Sequence, residues 1–177
     1  MRKVTRAALA LAGSAALIGV TTVPSFAATT GDTTTTVAVT GGVLAITVPG
    51  TTALTAAAPG TTSTTTLGNT VVNDTRAGTA GWVANMTLPP LTATVDLVAQ
   101  TIPTTLATYT AATATKTGTV TVTAATVITG LGTAKTSQTA TAVTGNNSAT
   151  WAASLTVPIP AQALAATYTG TLTQSLV

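Results

Sequence analysis

Short runs of Val, Ile, Leu and Thr that alternate with a period of two recur along the chain, each closed by Gly, Pro or Asn. After the first 27 residues no window keeps a 3.6-residue apolar repeat. Successive side chains of a strand point to opposite faces, so this period predicts half-buried strands. They are expected at residues 35–39, 43–48, 64–72, 81–88, 93–98, 117–128, 138–143, 151–159 and 167–176. Pro49-Gly50 and Pro59-Gly60 read as turns, Pro89-Pro90 lacks ladder donors, and Gly145-Asn146-Asn147 reads as a break that tolerates positive φ. The Ala/Thr stretches 51–66 and 104–118 read as surface loops or ragged edge strands. The spacing predicts an all-β chain, a single antiparallel β-sandwich of the Ig-like kind with about 8–10 strands.

The first residues follow another rule. Arg2, Lys3 and Arg6 precede an apolar run over 7–20, which ends near Pro24-Ser25-Phe26-Ala27. A charged head, an apolar stretch and small residues at a cleavage point are the marks of a signal peptide, with cleavage expected after Ala27. The run is shorter than the roughly 20 residues a bilayer span needs, so no membrane span is expected in the mature protein. The expected organisation is a signal peptide at 1–27, a flexible segment at 28–36 and the sandwich at 37–177, in a protein secreted to the cell surface.

Loss of the leader changes the charge balance. Arg76, Lys116 and Lys135 then stand against Asp32, Asp74 and Asp96, so the mature chain is formally neutral. Nucleic-acid binding needs clustered Lys and Arg, which are absent. Roughly a quarter of the residues are Thr, a composition suited to pleated, half-buried strands. The chain has no Cys, hence no disulfide framework.

The chain also has no His and no Glu, and its only carboxylate side chains are the three Asp. Acid–base and nucleophilic catalysis draw on His or on carboxylates with tuned pKa, so no enzymatic activity and no catalytic residue is expected. No metal site is expected without imidazole, thiolate or clustered carboxylates, and no cofactor without a Gly-rich turn between a strand and a helix.

The most specific segment contains Asp74-Thr75-Arg76 followed by Gly81-Trp82. Asp74 can cap turn amides, Arg76 can pair with Asp74 or with backbone carbonyls, Gly81 permits a tight connection, and Trp82 brings a large apolar surface. Asp74, Arg76, Gly81 and Trp82 are therefore the candidate site, either a structural corner with a core tryptophan or a surface-binding platform built on Trp82. Trp151, at the head of a run that ends in Pro158 and Pro160, is expected in the core.

With these residues the sequence resembles the WxL-type cell-surface domains of Gram-positive bacteria. Their pattern has an Asp-x-Arg turn leading into Gly-Trp and a terminal strand of the Tyr-Thr-x-x-Leu-Thr kind, matched here by Tyr168-Thr169-Gly170-Thr171-Leu172-Thr173. Gly42-Val43-Leu44-Ala45-Ile46-Thr47-Val48-Pro49 is similar to the family's first strand. The two Trp-x-Leu motifs are degraded: Val83-Ala84 follows Trp82, and Gln174 stands where the distal tryptophan would be. The resemblance implies non-covalent attachment to the cell wall, with peptidoglycan as partner. The alternative expectation is a structural subunit that self-associates into a surface fibre or layer by β-strand pairing.

One further pattern stands apart. From Thr113 to Thr123 every second residue is Thr, which in a strand sets six hydroxyls on one face. The run resembles the threonine ladders of some ice-binding proteins, and its simplest reading is a solvent-facing strand open to O-glycosylation after export.

Overall fold

The computed structural model describes residues 30–177, and the expected signal peptide lies outside the described residues. Residues 38–177 form one compact unit. In chain order its strands are β1 (Leu44–Thr47), β2 (Thr62–Asp74), β3 (Trp82–Thr87), β4 (Leu91–Val95), β5 (Val98–Ile102), β6 (Thr108–Ala111), β7 (Thr115–Ala124), β8 (Ile128–Thr129), β9 (Lys135–Pro158) and β10 (Thr173–Leu176). Among the described residues there is no helix, and every ladder is antiparallel. The fold is all-β and sandwich-like: β4 and β5 form a two-stranded ladder of their own, and the other eight strands form one sheet.

The organiser of that sheet is β9, 24 residues long. Its first part lies between β3 and β7, its middle between β2 and β7, and its end between β2 and β6. Gln138 and Ala140 face inward after the register shift against β3 at which Ser137 is also buried, whereas Val143, Asn147, Ala149, Trp151, Ala153, Leu155 and Val157 do so afterwards. The inward parity thus changes from even to odd, and it changes across Ala142, whose φ is 50°. One residue in the left-handed region acts as a bulge, turning the strand and exchanging its faces.

The Gly145-Asn146-Asn147 break expected from the sequence is therefore not a turn. Gly145 does take a left-handed φ of 69°, but the chain runs on through it because β7 and β2 hold the flanking residues on both sides. Opposite the bend, β7 makes its own adjustment. Gly118 has a φ of 74° and lies so close to Asn146 O that a Cβ there would collide with it, which is why glycine occupies this position.

Other expected elements move for similar reasons. Residues 35–39 form no strand, and within 104–118, expected as surface loop or ragged edge strand, β6 forms between β8 and β9. The single strand expected at 93–98 is the β4–β5 hairpin, turned at Asp96 and Leu97 with φ of 48° and 66°. The last strand is shorter than expected: residue 169 leaves the main sheet to bridge Thr92, and β10 begins at Thr173.

The core collects the inward positions, with Trp82, Trp151, Tyr109, Met86, Leu88, Leu131, Val72 and Val157 fully buried. Burial of each large apolar side chain contributes about 1.5–3 kcal/mol relative to exposure.

Candidate functional site

Asp74 ends β2, and the chain turns through residues 75–81 before β3 opens at Trp82. The turn is fastened by a forked ion pair. Arg76 Nε donates to Asp74 Oδ1 and Arg76 Nη2 to Asp74 Oδ2, both at 2.9 Å, and the Arg76 amide adds a bond to Oδ1 at 3.1 Å. The same Nη2 reaches the carbonyls of Ala80 and Gly81 at 3.0 and 3.1 Å, so one guanidinium ties both ends of the corner together. Asp74 is 2% exposed and its carboxyl is lowered from 3.8 to about 2, first because of the Arg76 side-chain hydrogen bonds, against the opposing effect of burial. Asp74 in turn raises the pKa of Arg76. Gly81 lies against Ala140 O, where a Cβ would collide, and this close approach seats the start of β3 on β9.

Inside the corner the contacts continue. Asn147, on β9, donates from Nδ2 to Asp74 Oδ2 at 3.2 Å and accepts from Trp82 Nε1 at 3.3 Å. Trp82 stacks on Trp151 with ring centroids 6.5 Å apart and planes 16° from parallel. Trp151 Nε1 donates to the Tyr109 hydroxyl at 3.2 Å, and burial pushes the Tyr109 pKa up. An unbroken line of contacts therefore runs from Arg76 at the surface through Asp74, Asn147, Trp82 and Trp151 to Tyr109.

All four predicted site residues meet in this corner, but not as a surface platform. Trp82 is 1% exposed and presents no face to solvent, so of the two readings of the corner the geometry fits the structural one, with a core tryptophan fixed by its indole N–H. Trp151 lies in the core as expected, at 2% exposed. Sequence reasoning missed Asn147 and Tyr109 as partners. Asn147 looked like turn chemistry, and nothing in the sequence signals a contact 73 residues away. Of the remaining polar groups, Asp96 sits on the β4–β5 turn, and Lys116 Nζ donates to Val120 O at 2.8 Å.

A second feature lies on the outer face. The alternating threonines of β7 are exposed at 115, 117, 119, 121 and 123, and each stands opposite a hydroxyl residue of β9. The pairs are Thr115/Thr150, Thr117/Ser148, Thr119/Thr144, Thr121/Thr141 and Thr123/Thr139, with register shifts between Thr117 and Thr119 and between Thr119 and Thr121. Further along β9 the row continues as Thr66/Ser154/Thr110 and Thr64/Thr156/Thr108 across β2, β9 and β6. Thr66, Ser154 and Thr110 line a shallow, open depression together with Ala111, Ala112, Ala152 and Ala153.

Fold and corner together define an all-β antiparallel sandwich whose distinctive polar residues brace its interior. No protein-family model matches the sequence, and no curated protein or solved structure matches it either.

Proposed function

We propose that the chain is exported and acts, without catalysing a reaction, as a WxL-like module that associates non-covalently with the bacterial envelope, with peptidoglycan as its partner. One observation carries the reading. Two of the segments that resemble the family, residues 42–49 and 74–82, are apart in sequence but adjoin in the fold, and the strand that follows the third reaches the same corner. β10 pairs with β3 immediately after Trp82, where Val83 and Val177 exchange hydrogen bonds of 2.8 and 3.0 Å, and β1 pairs with the end of β2 at Asp74. Gln174, which stands where the family has its distal tryptophan, faces Thr70 at 3.3 Å. The corner from Asp74 to Trp82 then serves as the scaffold of the module, and binding falls to its exposed groups. The test is co-sedimentation of the purified mature chain with isolated cell walls. The expected outcome is recovery in the wall pellet and none in a wall-free control; equal recovery in both would refute the reading.

A second reading, self-association by strand pairing, is favoured by β1 and β10. They stand at the two ends of the sheet's strand order, approach each other where the sheet nearly closes, and carry no charged residue to discourage pairing with another copy should that seam open. Sedimentation over a concentration series tests it: growth of the assembly with concentration supports edge pairing, and a constant monomer mass rules it out.

A further inference from the structure

Alternation predicts a strand at residues 35–39, yet these residues form none, and among the described residues they pair with no strand. Val37 and Val39 are left 87% and 82% exposed. We infer that residues 34–40 are a donor strand that adds to the free edge of β7 in a second copy of the chain, so that copies link head to tail. The inference rests on the self-association reading and adds the donor, the acceptor edge and the polarity of the assembly.

The donor has the makings of a strand and nothing in its own copy to complete it. Thr34, Thr35, Thr36, Val37, Val39 and Thr40 are all β-branched, and residues 33–41 carry no charge and no proline. Val37 and Val39 fall on one face once the segment is extended. The chain is fastened only behind this segment. Gly41 lies against the Arg76 carbonyl, and the Gly42 and Val43 amides bond to Thr75 O at 2.6 Å and Thr75 Oγ1 at 2.9 Å.

The acceptor is the longest edge of the sheet. β7 has ten residues and pairs with β9 alone, whereas β1 and β10 have four each and approach one another. A carbonyl of β7 is already served from outside the β9 ladder: Lys116 Nζ donates to Val120 O at 2.8 Å. The ammonium stands where a donor from an added strand could take its place. Lys116 is the only charge on β7, and Lys135, at the start of β9, lies beyond the last β7–β9 pair, Ala124/Gln138, and opposite Met86 of β3. Thr119 to Ala124 is therefore an edge without the charges that guard natural ones.

The two patterns fit. Val120, Val122 and Ala124 turn inward while Thr119, Thr121 and Thr123 turn outward. Val120 is buried, but Val122 and Ala124 are only half-buried at the rim of the core, as is Ala125. A strand added there with Val37 and Val39 inward extends this apolar row and sets Thr36 and Thr40 beside the outer threonines. A slip of one residue would exchange the faces, so burial selects the register. Donor and acceptor are different surfaces, and such a heterologous contact propagates as an open chain of copies unless its rotation closes a ring.

The test is sedimentation of the mature chain and of a Val37→Lys, Val39→Lys double variant over a concentration series, with amide hydrogen exchange on the same samples. Both valines are exposed in the single copy, so the substitutions leave the fold intact while giving the donor the charge that opposes edge pairing. The wild type is expected to assemble, and the variant to need a concentration roughly tenfold higher or more. Exchange over Thr119 to Ala124 is expected to slow about tenfold or more in the assembled wild type. Assembly of the variant at wild-type concentrations, or protection at β1 and β10 in place of β7, overturns the inference and leaves self-association standing. A wild type that stays monomeric throughout removes both. A synthetic peptide of residues 33–41 gives a check independent of the variant's behaviour. In excess it is expected to shorten wild-type assemblies and to slow exchange over Thr119 to Ala124 in the double variant, and a peptide with neither effect overturns the assignment of the donor.

Discussion

Asn147 and Asp74 lie 73 residues apart in the chain and meet at 3.2 Å in the interior, where the same asparagine also accepts the indole proton of Trp82. One amide thus joins the Asp74 carboxylate to the Trp82 indole. Asn147→Ala leaves Asp74 its bonds from Arg76 but orphans the buried Trp82 N–H, and an unsatisfied buried group costs about 1–3 kcal/mol. A loss of that size is expected, read from the urea midpoint against the wild type.

Acid should loosen the corner. The Asp74 carboxyl is lowered from 3.8 to about 2 in the folded protein, chiefly by its hydrogen bonds from Arg76. A folded pKa below the unfolded one means that this group stabilises the protein fully above the unfolded value and loses that contribution as pH falls through the folded value. Urea midpoints should therefore decline from about pH 4 to about pH 2, and Asp74→Asn should be weaker than the wild type at neutral pH with a flatter profile over that interval. Parallel profiles for the two proteins would show that another group governs the acid transition.

Two glycines should respond oppositely to alanine. Gly118→Ala meets both a left-handed φ and the Asn146 carbonyl, so a loss of about 2 kcal/mol or more is expected. Gly50→Ala meets no atom within 4 Å and needs no left-handed φ, and it should be neutral or slightly stabilising, by up to about 1 kcal/mol. Thermal melts of the two variants side by side provide the check.

The β4–β5 turn holds a leucine in a conformation better suited to glycine. Leu97 has a φ of 66° and is 97% exposed, so its side chain buries almost nothing in return for the strain. Leu97→Gly should raise stability by about 0.5–1 kcal/mol, and calorimetry would register this as a higher melting temperature.

The sequence carried the local part of this fold. β1, β2 and β3 fall within two residues of where alternation predicts them, because each is half-buried and bounded by turn residues. Features decided by partners were not legible. The continuity of β9 through Gly145 depends on β7 and β2 lying on either side, and the hairpin at Asp96-Leu97 lacks the Asn-Gly or Gly-rich signature that would reveal it. The candidate corner was legible in composition but not in role. Asp74, Arg76, Gly81 and Trp82 were identifiable as a unit, whereas the burial of Trp82 follows from Asn147 and Trp151, which come from a distant strand.

The position of β9 in the chain also has a consequence in time. The strands that pair with it, β2, β3, β6 and β7, all precede residue 135, so during synthesis each of them emerges before its shared partner exists. Pairings of such long sequence separation form slowly, and here none of them can begin until the last quarter of the chain is emerging. Before then only the β1–β2, β4–β5 and β6–β8 ladders can pair, and the main sheet closes late, around a single strand.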